Sequence, residues 1–344
     1  MFLINKCKFA SKIIEKMMSF KIKILLALCW VNYCFSQQKD TIAVTATERP
    51  HQEYQIDNNT IRSFNKPKLW EIITRLPKDF IQTNKDFVAN DHAWYLGGAI
   101  ASTALLVPLD QKITDESRNF AQHLGLGPDN VYGKLGPLEN IPKNFGAGLY
   151  LFGNGTTVIV LSAGFITYGL LKNDYRAQAT ASGMIESLAL SGVFVQVLKR
   201  SIGRESPFIA RQNGNSGGDW NPFPSFAAYA KETPHYDAVP SGHLATIMSA
   251  FTIIATNYPE YKWLKPVGYT IIGGLCFQMV QSEVHWVSDY PIALLIGYFS
   301  GKTIARNRFT DKKLNGQETK PKYSLNITGN RIYGMNTLGL SLKF

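Results

Sequence analysis

Pro240-Ser-Gly-His-Leu-Ala-Thr-Ile-Met-Ser-Ala-Phe-Thr-Ile-Ile-Ala-Thr-Asn257 begins as a turn and continues as an unbroken apolar run. The run is well beyond the length of a strand, so 243–257 reads as a helix entered through Ser241 and Gly242. Five further segments of the same kind, 93–107, 147–171, 178–199, 266–281 and 290–304, share its length and its Gly and Ala content. The predicted fold is therefore all-α: a six-helix bundle interrupted by two Gly-, Pro- and Asn-rich connections, 109–145 and 200–242. No internal repeat is present.

Flanking segments complete the organisation. Lys21 and Lys23 precede the apolar run Ile24 to Phe35, and Ser36-Gln37 offers a cleavage point, so residues 1–36 read as a secretory signal. As a membrane anchor the same run is short. Residues 37–90 form a polar, extended arm with a short amphipathic helix from Leu69 to Arg75 that ends near Pro77. The helical domain occupies 91–310. In 311–344, Tyr323-Ser-Leu-Asn-Ile-Thr, Gly329-Asn330 and Leu338-Gly-Leu-Ser-Leu-Lys-Phe344 alternate apolar and polar residues, the pattern of a small C-terminal β-hairpin with its turn at Gly329-Asn330.

Composition narrows the function. Hydrophobic residues make up 45% of the 344 and charged residues 18%, enough for a sizeable core. The formal charge is +11, but the leader holds six Lys and one Glu, which leaves +6 on the mature chain. That excess suits an anionic substrate or an anionic membrane surface. The interleaved basic and aromatic stripe of a nucleic-acid binder is missing. Once the leader is removed only Cys276 remains, so no internal disulfide can form.

Three stretches carry chemistry: Lys199-Arg-Ser-Ile-Gly-Arg-Glu-Ser-Pro207, Pro240-Ser-Gly-His243 and His285-Trp-Val-Ser-Asp289. The first ends the third apolar helix, the second opens the fourth, and the third lies between the fifth and sixth. In an up-and-down bundle all three fall at one end. Ser241 and Gly242 precede the fourth helix, where free backbone N–H groups and the positive end of the helix dipole favour an anion. Lys199 adds a point charge. Asp289 beside one ring nitrogen of His285 would fix the tautomer and leave the other nitrogen to attack phosphorus. His243 could protonate the leaving oxygen and then activate water.

These stretches resemble the signature motifs of the phosphatidic-acid-phosphatase type 2 (PAP2) superfamily, which also includes vanadium haloperoxidases. That pattern is Lys, six residues, Arg-Pro; then Pro-Ser-Gly-His; then Ser-Arg, five residues, His, three residues, Asp. The resemblance spans about residues 90–305. It implies a helical bundle of PAP2/haloperoxidase type and a phosphohistidine at His285 oriented by Asp289. It further implies His243 as acid and base, and phosphate binding by Lys199, Ser241 and Gly242. Two positions depart from the pattern: by ungapped count the motif arginines fall on Ser206 and Met279. Arg204 is the expected replacement for the first, with Arg211 as another candidate, and Gln278 is expected to offer a neutral donor for the second. Trp286 is expected as a pocket wall. Asp219-Trp220, Phe223 and Phe226 form either a lid or loop scaffolding.

The expected function is metal-independent phosphomonoester hydrolysis, with no cofactor, on a lipid phosphate, a polyprenyl pyrophosphate or a small ester. The alternatives are a vanadate-dependent haloperoxidase and a catalytically weakened anion-binding envelope protein. Several apolar segments fall short of the roughly 20 residues that span a bilayer. The expected location is therefore an exported, periplasmic bundle resting on a membrane surface. A six-span inner-membrane protein with a periplasmic site is the alternative.

Overall fold

A computed structural model describes residues 49–68, 70–88, 92–127, 129–135, 138–314, 324–332 and 335–343. The expected leader and residues 37–48 of the arm lie outside them. The chain runs through strands β1 (His51–Asp57) and β2 (Thr60–Asn65), then helices α1 (Glu71–Val88), α2 (Ala93–Leu106) and α3 (Asp110–His123). A short ribbon, β3 (Tyr132–Leu135) and β4 (Leu138–Pro142), leads to α4 (Phe145–Phe152), α5 (Gly155–Leu171) and α6 (Tyr175–Ile202). Two short helices, α7 (Pro207–Asn213) and α8 (Phe226–Lys231), precede α9 (Gly242–Asn257), α10 (Leu264–Gln281) and α11 (Tyr290–Arg306). Strands β5 (Phe309–Lys313), β6 (Ser324–Ile332) and β7 (Met335–Lys343) finish it.

Helix α6 is the axis of the bundle. Asp174 caps it by accepting from the Ala177 amide at 2.8 Å, and Gly203 ends it in the left-handed region (φ 61°, ψ 50°). Helices α9 and α11 pack against α6 and, closely, against each other. Where they cross, α11 presents Gly297 and Gly301 one turn apart. A Cβ at Gly297 would lie 2.6 Å from the Ala245 carbonyl oxygen, and one at Gly301 would collide with the Ser249 carbonyl. The core above this crossing joins Leu244, Met248 and Phe251 of α9 to Leu275 and Met279 of α10 and Ile296 of α11. A second cluster joins Val158, Met184, Leu190, Ile253 and Ile304.

The bundle is as predicted, with differences that have physical causes. The segment expected as one helix over 147–171 is two, α4 and α5, bent by 68°. The break falls at Gly153, where a Cβ would lie 2.8 Å from both His243 Cβ and Leu275 Cδ2. Helix α1 runs past Pro77 to Val88. Phe80 stacks on Phe194 at 4.9 Å, and Phe87 packs edge-on against Phe194 and Phe299. That burial offsets the one hydrogen bond the proline removes. The connection 109–145 contains α3, and 200–242 contains α7 and α8.

The arm expected as extended is a β-hairpin, β1–β2, closed by Asn58-Asn59 between paired Asp57 and Thr60. Strand β5, expected within the C-terminal unit, instead pairs antiparallel with β2. Buried Phe64 joins this sheet to Tyr175 and Ala179 at the start of α6. The C-terminal hairpin forms from β6 and β7, but its register places the turn between Ile332 and Met335. Gly329 and Asn330 pair within the ladder.

The α9–α11 crossing yields a test. Gly301→Ala should destabilise the protein by about 1–3 kcal/mol, the usual cost of overpacking. Gly164→Ala in α5, where a Cβ meets nothing within 4 Å, should be neutral or stabilising by up to about 1 kcal/mol. Thermal unfolding of the two variants measures the contrast.

Candidate active site

The end of α6, the start of α9 and the loop before α11 meet at one end of the bundle. Lys199 lies in the last turn of α6. Gly203 then turns the chain sharply, with no room for a side chain against the Asn221 carbonyl. Across the gap, Ser241 caps α9, its side chain accepting from the Leu244 amide. The Ser241 amide donates to the Asp289 carbonyl at 3.2 Å, which ties the second motif to the third. A Cβ on Gly242 would lie 4.0 Å from Lys199 Nζ. The ammonium thus sits over the helix start.

His243, the next residue, faces His285 with ring centroids 6.1 Å apart and planes inclined at 68°. Tyr150 of α4 covers its other side at 4.4 Å. Burial, reinforced by His285 and then Lys199, pushes the His243 pKa down to about 3. The ring is therefore neutral at neutral pH. His285 is itself buried, with Nδ1 3.3 Å from Asp289 Oδ2. The same carboxylate oxygen accepts from the Trp286 amide at 2.8 Å. A neutral His285 that donates from Nδ1 keeps Nε2 unprotonated, as a nucleophile requires.

The sequence-predicted residues divide into two groups. His243, His285, Asp289, Lys199, Ser241 and Gly242 come together. Arg204 does not join them as a free clamp: it is wholly buried and its two terminal nitrogens donate to protein acceptors. Nη1 reaches Ser288 Oγ (2.6 Å) and Asp289 Oδ1 (3.1 Å), and Nη2 reaches Asp110 Oδ2 (2.7 Å) and the Gly217 carbonyl (2.8 Å). Its guanidinium lies 4.6 Å from the ring centre of Trp220 and 5.1 Å from that of Trp286.

Gln278 turns toward α4. It donates to Asn130 Oδ1 at 2.9 Å and accepts from Gln281 at 2.8 Å. Arg211 pairs with Asp115 and Glu283. Met279 is buried, with its sulfur 3.7 Å from Ser241 Oγ. Trp286, expected at the pocket wall, is instead packed with Ala210 and Ala238, and its indole N–H donates to the Glu205 carbonyl.

Three residues at this end escape sequence reasoning. Asp237 accepts from Lys199 at 3.1 Å, Tyr150 walls in His243, and Asp110 anchors Arg204 and Ser288 from the start of α3. None belongs to a spaced motif. The nearest signal was Asp237, four residues before Ser241. Tyr150 arrives from an apolar segment, and Asp110 opens a polar helix in which it is one acidic residue among three.

Comparison with known proteins places this arrangement. The model of the PAP2 superfamily matches residues 180–313. No curated protein and no solved structure matches the chain. The matched segment, which holds Lys199, the Ser241–His243 turn, His285 and Asp289, is similar to the PAP2 superfamily.

Proposed function

We propose that this protein is a metal-independent phosphatase that hydrolyses phosphomonoesters through a phosphohistidine at His285. The observation that carries the reading is the juxtaposition of the buried His285 imidazole and the partly buried His243 imidazole, ring centroids 6.1 Å apart, with the Lys199 ammonium over the amino-terminal end of α9. The substrate phosphate would lie between the rings. Its oxygens would take the Gly242 end of α9, where backbone N–H groups are free, and the Lys199 charge. Asp289 holds Nδ1–H of His285 while Nε2 attacks phosphorus. The P–N bond forms, the P–O ester bond breaks, and the leaving oxygen takes a proton from His243. Water then loses a proton to His243 as it attacks phosphorus, the P–N bond breaks, and inorganic phosphate leaves.

This sequence needs a proton on His243, whose depressed pKa keeps it neutral at neutral pH before an anion binds. A bound dianion favours the imidazolium, so binding raises the His243 pKa from its depressed value and draws a proton in. The substrate thereby arms its own general acid.

Membrane association accompanies this reading. Helices α2 and α5 are apolar on every side yet largely uncovered, with Leu105 74% and Leu171 79% exposed. By length and composition α6 could cross a membrane, and up to three described spans result if each bent helix pair counts as one. At the site end, Phe223 (78% exposed) and Phe226 (79%) project outward. Phe223 holds a left-handed backbone, φ 56°, an uncommon setting for a bulky side chain. We read these surfaces as resting on lipid, a reading that favours a lipid-borne phosphomonoester as the substrate.

Three outcomes follow. His285→Ala should lower kcat for p-nitrophenyl phosphate at least about a thousandfold, while wild type keeps its activity in EDTA; an inert wild type would sink the proposal. At pH 6, sulfate, which does not titrate there, should bind with uptake of about one proton. Calorimetry in buffers of different ionisation enthalpy reads that number, and His243→Gln should abolish it. Finally, Phe223→Ser/Phe226→Ser should sediment less with phospholipid vesicles than wild type does.

A further inference from the structure

A fully buried polar cluster adjoins this site, and one of its members belongs to no motif. Asp110 opens α3 and has no solvent exposure. Three donors converge on its carboxylate. The Ser288 amide donates to Oδ1 at 3.0 Å, and the Ser288 hydroxyl and Arg204 Nη2 donate to Oδ2. Arg204 Nη1 continues to Asp289 Oδ1 at 3.1 Å, and Asp289 Oδ2 faces His285 Nδ1 at 3.3 Å. An unbroken path of polar contacts runs Asp110, Arg204, Asp289, His285.

We propose that Asp110 is a positioning residue for His285, acting through Arg204 and Asp289. This rests on His285 being the nucleophile. A guanidinium is a rigid planar fork, so where Arg204 meets Asp289 is set by what holds its other nitrogen. Asp110 holds it. The two carboxylates thus share one cation, each meeting one of its terminal nitrogens, while Nε is buried without a hydrogen-bond partner. Remove the Asp110 charge, and the whole attraction of the guanidinium falls on Asp289. The Asp289 oxygens are then drawn toward Arg204 and away from the imidazole. An amide in place of the Asp110 carboxylate keeps one acceptor oxygen, which can serve the Ser288 amide or the Arg204 nitrogen and Ser288 hydroxyl but not both, and Ser288 adjoins Asp289 in the loop. Asp110 acts through Asp289 Oδ1, the oxygen opposite the one facing His285, so it sets the aim of the ring and leaves the phosphate contacts alone.

The redirected Arg204 gains a physical account from this. It lies two positions before the residue where the motif expects an arginine, directly after the left-handed turn at Gly203. That turn sends it inward to the Asp110–Asp289 pair rather than toward the anion.

The test is steady-state kinetics of the full chain with p-nitrophenyl phosphate, alongside melting temperatures, for Asp110→Asn, Ser288→Ala, Arg204→Gln and Asp110→Asn/Arg204→Gln. Misaiming a reacting group can cost on the order of a hundredfold, so kcat should fall about 10- to 100-fold in Asp110→Asn with KM unchanged. Ser288→Ala, which removes one oxygen, should lower kcat by less and also leave KM unchanged. The double variant should be no slower than the slower of Asp110→Asn and Arg204→Gln, because the two residues act as one unit. If Asp110→Asn does not fold, Ser288→Ala decides. Wild-type kcat in both would overturn the proposal, as would a kcat loss that comes with a matching rise in KM and fall in melting temperature. Should wild type hydrolyse no phosphoester, the nucleophile reading fails beneath it. Turnover by wild type together with undiminished variants removes the role of Asp110 alone.

Discussion

Burying the Asp289 carboxylate is the constraint on which this architecture turns. A carboxylate without solvent costs several kcal/mol unless its surroundings replace the lost water. Here the first and third motifs contribute to replacing it. Arg204, from the turn after α6, meets one oxygen, while His285 and the Trp286 amide meet the other. The backbone carbonyl of the same residue receives the Ser241 amide at the head of α9. One residue thereby holds together three chain segments spread over some ninety positions. The folding requirement and the orientation of the imidazole have the same solution.

That solution is a balance of charge as much as of geometry. Arg204 serves two carboxylates, Asp110 and Asp289, and Lys199 is offset by Asp237. Ser206 and Met279, where the motif count expects arginines, are buried. Ser206 caps α7, and Met279 belongs to the main core. The positive potential at the anion-binding end therefore comes largely from Lys199 and the free amides of α9. A neutral His243 belongs to the same economy, since a second cation there would have nothing to balance it until an anion arrives.

Much of this was legible in one dimension. Long apolar segments with small residues announce helices. Motifs at the ends of alternate helices must share an end of the bundle whatever the crossing angles. The elements that could not be read depend on distant partners. Whether Gly153 interrupts 147–171 is decided by His243 and Leu275, far along the chain. Strands β1 and β2 look like polar linker because their apolar face amounts to little more than Tyr54 and Phe64, which gain meaning only against Tyr175 and Phe309. Asp110 is one acidic residue in a long connection, and its value comes from Ser288, 178 positions later. Arg204 was recognised as important, but its direction depended on the backbone hand at Gly203.

The β2–β5 pairing has a consequence for how the chain matures. Arg62 and Asp311 meet across 249 positions, so the sheet is complete only when nearly the whole bundle has been made. Until then β2 offers one unpaired edge, the kind of edge that recruits foreign strands. Ladder closure over so long a separation is slow compared with local helix formation. Arrival of β5 thus completes the sheet late, and a chain truncated before Phe309 leaves one edge of β2 unpaired while the hairpin still packs on the start of α6.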